Sequence, residues 1–267
     1  GLCQNPFHTS FHSPHRLYDG RWPEDPYPVK ISAVIITQNE APNIRRCLSS
    51  LEGIADEVIV LDGQSDDGTV EICKEMGARV IDQKWLGYAA TKNLGNSLAQ
   101  HPYILSLDAD EALSDTLIAS IREILAKNDL PQSVFSFNRL AFYCGKAIRH
   151  CGWYPDRKVR LFPKDKAQWQ GEFVHETLVP AAGFPEVHLD GDLLHYTYYS
   201  VEEHRSRARK YAALAAQKIA QSGKQGLMMK AIFSPAWRFI QMYVLRLGFL
   251  DGGAGFQICR MTALEVY

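Results

Sequence analysis

The sequence predicts an α/β protein, with a mixed, mostly parallel sheet flanked by helices and followed by a helical extension. Three observations carry this expectation. Short continuous apolar runs, such as Ile31–Ile36 and Val58–Leu61, alternate with stretches of helical spacing. The connections between them are short and polar, the arrangement that builds open α/β sheets. Beyond residue 200 the texture turns helical, first polar and Ala-rich, then aromatic and basic.

Each element follows from local pattern. Ile31 to Ile36 carry no charge, as a parallel strand buried on both faces requires. Thr37-Gln38-Asn39-Glu40 make a polar loop, and Ile44, Cys47, Leu48 and Leu51 then recur at helical spacing. Val58 to Leu61 form a second strand that ends at Asp62. A turn-rich loop, Gly63 to Gly68, leads into a helix over Val70–Met76 that Gly77 stops. Ala78–Ile81 read as a third strand, residues 88–99 as a helix, and Tyr103–Leu107 as a fourth strand ending at Asp108. Shorter strands follow at Val134–Phe137, Val159–Phe162, Glu172–His175 and Leu193–Tyr196. Residues 201–221 and 235–250 read as helices, the second opened by Pro235. The expected division is an irregular, His- and Pro-rich leader at 1–30, an α/β domain at 31–199 and a helical region at 200–267.

The 267 residues are 46% apolar and 22% charged, which suits a folded chain. The net charge of −1 hides an asymmetry. Residues 31–138 hold 8 Lys/Arg against 16 Asp/Glu, a net of −8; residues 139–170 hold 8 against 2, and residues 200–267 hold 10 against 4, a net of +6 each. An acidic first half suits a metal site, and a basic second half suits phosphates or an anionic surface. The six cysteines form no CxxC pair, so buried thiols in a reducing compartment are expected. No apolar run reaches the roughly 18 residues of a spanning helix, and no signal peptide is visible.

Ligands of such sheets bind beyond the carboxyl ends of the strands. Thr37, Asp62 and Asp108 all fall just past strand ends. Asp108-Ala109-Asp110 offers two carboxylates one residue apart, with little positive charge nearby in sequence. Hard cations such as Mg2+ or Mn2+ take oxygen ligands of this kind and bridge phosphate oxygens. Asp62 is a candidate acceptor for base or ribose, and Asp66 or Asp67 a candidate helix cap. Lys92 stands early in a helix, where the dipole disfavours a cation, so contact with a diphosphate gives it another task. His175-Glu176, on a strand among apolar neighbours, supplies a candidate general base. Arg149 to Arg160 interleave basic and aromatic residues, which suits sugar faces and phosphates. The same mixture can bind nucleic acid, but nothing else in the chain supports that.

With these residues in hand, the chain resembles a family 2 glycosyltransferase of GT-A fold over residues 31 to about 180. The resemblance rests on Val34–Glu40, Asp62–Thr69, Lys92–Gly95, Asp108–Asp110 and His175-Glu176, in that order. The tail Leu247–Gly252 is also similar to a branch that adds glucose to the inner core of bacterial lipopolysaccharide. The resemblance implies a nucleotide-sugar half at 31–110 and an acceptor half at 111–199. It implies inverting transfer from a UDP-sugar, with glucose favoured, to a hydroxyl of a lipopolysaccharide-core or other lipid-linked glycan. Thr37, Asn39, Glu40, Asp62, Lys92 and Asp108 would meet the donor. Asp110 and Asp108 would hold Mg2+ or Mn2+. Glu176 would be the base, with His175 in place of the acidic residue many members carry there.

The implied location is cytoplasmic, with peripheral attachment to the inner membrane as one reading. Trp237, Phe239, Ile240, Tyr243, Val244 and Leu247, near Lys230, Arg238 and Arg246, would lie in an anionic interface or pack on the catalytic domain. Two other functions stand beside transfer. A nucleotidyltransferase would show a Gly-rich basic loop after its first strand, and a non-catalytic binding module would need no base.

Overall fold

The computed structural model describes Trp22 and residues 26–127, 132–171, 176–209 and 227–265. Its sheet opens with β1 (Ile31–Thr37), β2 (Glu57–Asp62), β3 (Arg79–Asp82) and β4 (Tyr103–Asp108). β1 pairs in parallel with both β2 and β4, and β2 pairs in parallel with β3. Register brings Thr37 opposite Asp62, Asp62 opposite Asp82, and Ile36 opposite Asp108. The carboxyl ends of all four strands therefore share one rim.

The remaining strands are β5 (Glu111–Leu113), β6 (Val134–Tyr143), β7 (Lys146–Ala147), β8 (Asp156–Pro163), β9 (Ala167–Gln170), β10 (Thr177–Pro180) and β11 (Glu186–Tyr198). The main sheet runs β3-β2-β1-β4-β8-β6-β11-β5, with β7 on β6, and β9 and β10 form a separate antiparallel pair. β8 runs antiparallel to β4, and β11 antiparallel to β5, so the sheet is mixed as expected.

Alternation along β1 explains its seven buried residues. Ile31, Ala33 and Ile35 face one core cluster, while Val34 and Ile36 face another. The first cluster takes Ile44, Cys47 and Leu48 from α1 (Ala41–Ser49) and Leu117 and Ile121 from α4 (Asp115–Leu125). Ser114 caps α4, its hydroxyl accepting the amide of Leu117 at 3.3 Å. The loop before α2 (Thr69–Glu75) is held to α1 by Asp67, whose carboxylate accepts the amides of Ala41 and Thr69.

The second cluster receives α3 (Tyr88–Leu98) and the β9–β10 hairpin. α3 lies close to the sheet because Gly95 has no side chain. A Cβ there would stand 2.4 Å from Val34 and 2.6 Å from Leu61. Asn93 then hooks the hairpin: its amide donates to the Trp169 carbonyl at 2.8 Å and accepts the Trp169 amide at 3.0 Å.

The chain divides into two compact units. Among the described residues, one holds those from Trp22 to Arg139 and from Arg157 to His195; the other holds Leu140–Asp156 and those from Tyr196 onward. Residues 140–156 thus group with the C-terminal helices. The cause is a shared apolar cluster in which Tyr143, Ile148 and Cys151 meet Met242, Ile258 and Cys259. Cys151 Sγ lies 3.6 Å from Cys259 Sγ, and Cys47, Cys73, Cys144, Cys151 and Cys259 are all free thiols.

The expected helix over 235–250 needs correction. After α5 (residues 201–209), α6 spans Leu227–Ile240 and Pro235 lies inside it. A π turn (Gln241–Leu245), a 3-10 turn (Gly248–Asp251) and α7 (Gly252–Glu265) follow. Proline favours first turns, but here it costs one internal hydrogen bond within a helix already begun by an apolar run. The break at Leu247, with φ of 54°, lets His150 and Arg149 donate their amides to the carboxylate of Asp251.

Candidate active site

The rim of the parallel strands collects the charged residues singled out in the sequence. β4 delivers Asp108, the turn after it delivers Asp110, and β5 begins at Glu111. Glu111 turns back, and its carboxylate accepts the backbone amide of Asp108 at 3.0 Å. This short bond fixes the turn that presents Asp110.

Lys92 is not a surface lysine. Its side chain is 1% exposed, and its ammonium lies 2.8 Å from Asp108 Oδ1 and 3.2 Å from Glu176 Oε1. The ring of Trp169 lies beneath it, 4.3 Å from centroid to nitrogen. Arg160, on β8, closes the other side. Its guanidinium reaches Asp108 Oδ2 at 2.9 Å and Glu111 Oε1 at 2.8 Å. Arg139 approaches Glu111 at 3.5 Å.

These neighbours set the charge state. Burial pushes the Asp108 carboxyl upward, but Lys92 and then Arg160 outweigh it and hold Asp108 well below the usual carboxylate range. Asp108 therefore stays ionised, with a cation on each oxygen. Asp110 is differently placed: Oδ2 lies 3.2 Å from His195 Nε2 on β11. Burial lowers the His195 pKa, yet the Asp110 carboxylate raises it by more. Carboxylate and imidazole at this spacing can hold a divalent ion together, and Asp110 is the carboxylate not already clamped by lysine or arginine.

The residues expected on the nucleotide side lie at the same rim. Thr37 and Asp62 lie side by side and buried, as their register requires. The Thr37 hydroxyl has no hydrogen-bond partner among the described residues. Asp62 accepts the Ser65 amide at 2.9 Å and the Ser65 hydroxyl at 2.6 Å. Asn39 and Glu40 make local bonds at the start of α1. Asn39 accepts the Asp66 amide at 2.9 Å, and the Glu40 carboxylate accepts from Asn43 at 2.7 Å. His175, with the strand expected at Glu172–His175, lies outside the described residues.

The sequence reading missed His195, Glu111 and Arg139 as parts of this site. The strand around His195 was legible, but its pairing with β5, which puts His195 opposite Glu111, spans more than 80 residues. Arg160 was legible only as one of many basic residues. Its buried pairing gives a clear expectation. Arg160→Met fills similar space but leaves Glu111 with less compensation, so it should cost about 3–5 kcal/mol of stability, as for other broken buried pairs. Chemical denaturation would measure this.

The model for "Glycosyl transferase family 2" matches residues 32–176, a range that holds Lys92, Asp108, Asp110, Arg160 and Glu176 but not His195. The chain belongs to that family. An uncharacterized glycosyltransferase of Rickettsia felis is 32% identical over 241 residues, covering 85% of this chain and 83% of its own. A lipopolysaccharide core biosynthesis glycosyltransferase, LpsC of Rhizobium meliloti, is 28% identical over 250 residues, covering 89% and 92%. Among solved structures, glucosyl-3-phosphoglycerate synthase of Mycobacterium tuberculosis overlaps 43% of this chain and 44% of its own, at 22% identity and a TM-score of 0.34.

Proposed function

We propose that this chain is a metal-dependent, inverting glycosyltransferase that moves glucose from UDP-glucose to a hydroxyl of a lipopolysaccharide-core or other lipid-linked glycan. The observation that carries this reading is the meeting of Lys92, Asp108 and Glu176 within 3.2 Å contacts, beside Asp110 and His195. The relative in Rhizobium meliloti, named for lipopolysaccharide core biosynthesis, supports the acceptor class.

A carboxylate and an imidazole 3.2 Å apart offer a partial donor set for a divalent ion, since no group of three or more such side chains gathers among the described residues. Asp110 and His195 would hold Mg2+ or Mn2+, with Asp108 alongside. Bound there, the ion supplies charge neutralisation for the leaving diphosphate. The chain's own groups do the rest. The partnerless Thr37 hydroxyl and the Asp62 carboxylate suit the uridine. Lys92 and Arg160 keep Asp108 ionised and in place. Glu176 accepts the proton of the acceptor hydroxyl as that oxygen attacks the anomeric carbon from the face opposite the diphosphate. His175 is the second proposed base. Work on a lipid-linked acceptor suits the cytoplasmic face of an inner membrane.

The test is UDP release by the purified chain with Mn2+ and a lipopolysaccharide-core acceptor. UDP-glucose should outrun other UDP-sugars and ADP-glucose, and NMR of the product should show an inverted anomeric centre. Equal use of ADP-glucose, or a retained configuration, would refute the reading. Pyrophosphate release in place of UDP would favour a nucleotidyltransferase.

A further inference from the structure

The C-terminal residues turn an apolar and basic face outward, and sugar transfer as derived above makes no use of it. Nine of the thirteen exposed large apolar residues of the described chain fall between Trp237 and Leu264. α6 and the π turn divide their apolar residues by face. Phe239, Met242 and Tyr243 pack in the C-terminal core cluster, whereas Trp237, Ile240 and Val244 are exposed, Trp237 by 59%. The outward set recurs every three or four residues, so it forms a stripe. The 3-10 turn adds Leu250, and α7 continues outward with Phe256, Arg260 and Leu264 at four-residue spacing.

Charge on this segment is mainly basic, with Glu265 closing α7. From 234 to 264 the basic residues are Arg238, Arg246 and Arg260, and the one acid is Asp251. Asp251 is 4% exposed and is bound to His150 at 3.0 Å. Between 234 and 264 the described residues therefore show exposed Arg246 and Arg260, a half-buried Arg238 and no exposed carboxylate. An apolar surface of this extent marks an interaction site. In a symmetric dimer the same patch meets itself, which would set arginine against arginine. An anionic partner removes that conflict. No helix of the described residues is long and apolar enough to cross a membrane.

We propose that this face docks on an anionic lipid bilayer. Its aromatic and aliphatic side chains enter the boundary between headgroups and acyl chains, and its arginines meet lipid phosphates. The proposal goes beyond the transfer reaction and uses none of its residues.

Vesicle sedimentation with the whole chain tests it. Wild type should sediment with phosphatidylglycerol-containing vesicles, release in high salt, and stay in solution with phosphatidylcholine alone. The double variant Trp237→Ala/Leu250→Glu should lower the bound fraction at least about tenfold, and Arg260→Glu by roughly fivefold or more, for each charge near the surface. Thermal melts would show both variants folded, and transfer to a deacylated, soluble acceptor should keep the wild-type rate. Failure of wild type to sediment, or sedimentation unchanged in the double variant, overturns the docking. So does a dimer on sizing that the same variants dissociate while wild type ignores vesicles. Because sedimentation is read without donor or acceptor, its outcome stands apart from that of the transfer assay.

Discussion

Asp110→Ala should abolish divalent-dependent turnover. The carboxylate lies 3.2 Å from His195 and, unlike that of Asp108, is not held by Lys92 or Arg160. Its loss removes the leading oxygen ligand of the proposed ion. Lewis-acid stabilisation of a developing charge is worth several kcal/mol, so the rate should fall on the order of 100- to 1,000-fold. Initial rates across a Mn2+ titration would measure it, with circular dichroism as the check on folding. A variant that keeps both the wild-type rate and its metal response would remove Asp110 from the metal site.

Glu176→Gln should stop transfer while leaving the donor bound. The amide keeps the shape and an oxygen that accepts from Lys92, 3.2 Å away in the parent, but it takes no proton. General-base catalysis commonly contributes 100- to 10,000-fold, so kcat should fall by roughly that factor. Calorimetric affinity for UDP with Mn2+ should stay within about threefold of wild type, since each tenfold corresponds to 1.4 kcal/mol. His175→Ala provides the contrast. If that variant loses kcat and Glu176→Gln does not, the proton goes to the imidazole.

The parallel half of the fold was legible because its strands are buried on both faces. Val34-Ile35-Ile36 and Val58–Leu61 are continuous apolar runs, and such runs have one structural reading at that length. The rim residues followed from strand ends alone: Thr37, Asp62 and Asp108 needed no knowledge of pairing. The antiparallel half was harder. β11 mixes Val187, Leu189 and Leu193 with Asp190, Asp192 and His195, a pattern whose partner depends on contacts far away in sequence. His195 therefore could not be assigned to Asp110 from the chain. Arg160 looked like part of a solvated basic run, and only its packing between Asp108 and Glu111 distinguishes it. At the C-terminus, apolar stripes were visible but their division between inward and outward faces was not, because Pro235 suggested a helix start where a helix was already under way.

Four consecutive residues of α3 serve different parts of the molecule. Lys92 supplies the ammonium between two carboxylates, Asn93 carries the hairpin, Leu94 joins the apolar cluster, and Gly95 sets how near the helix lies to β1 and β2. A helix advances about 100° per residue, so these tasks point in fixed relative directions. Adding or deleting one residue between Tyr88 and Lys92 would rotate the later part out of phase and misdirect all of them together. This stretch of chain can change its chemistry one side chain at a time, but it cannot change its length.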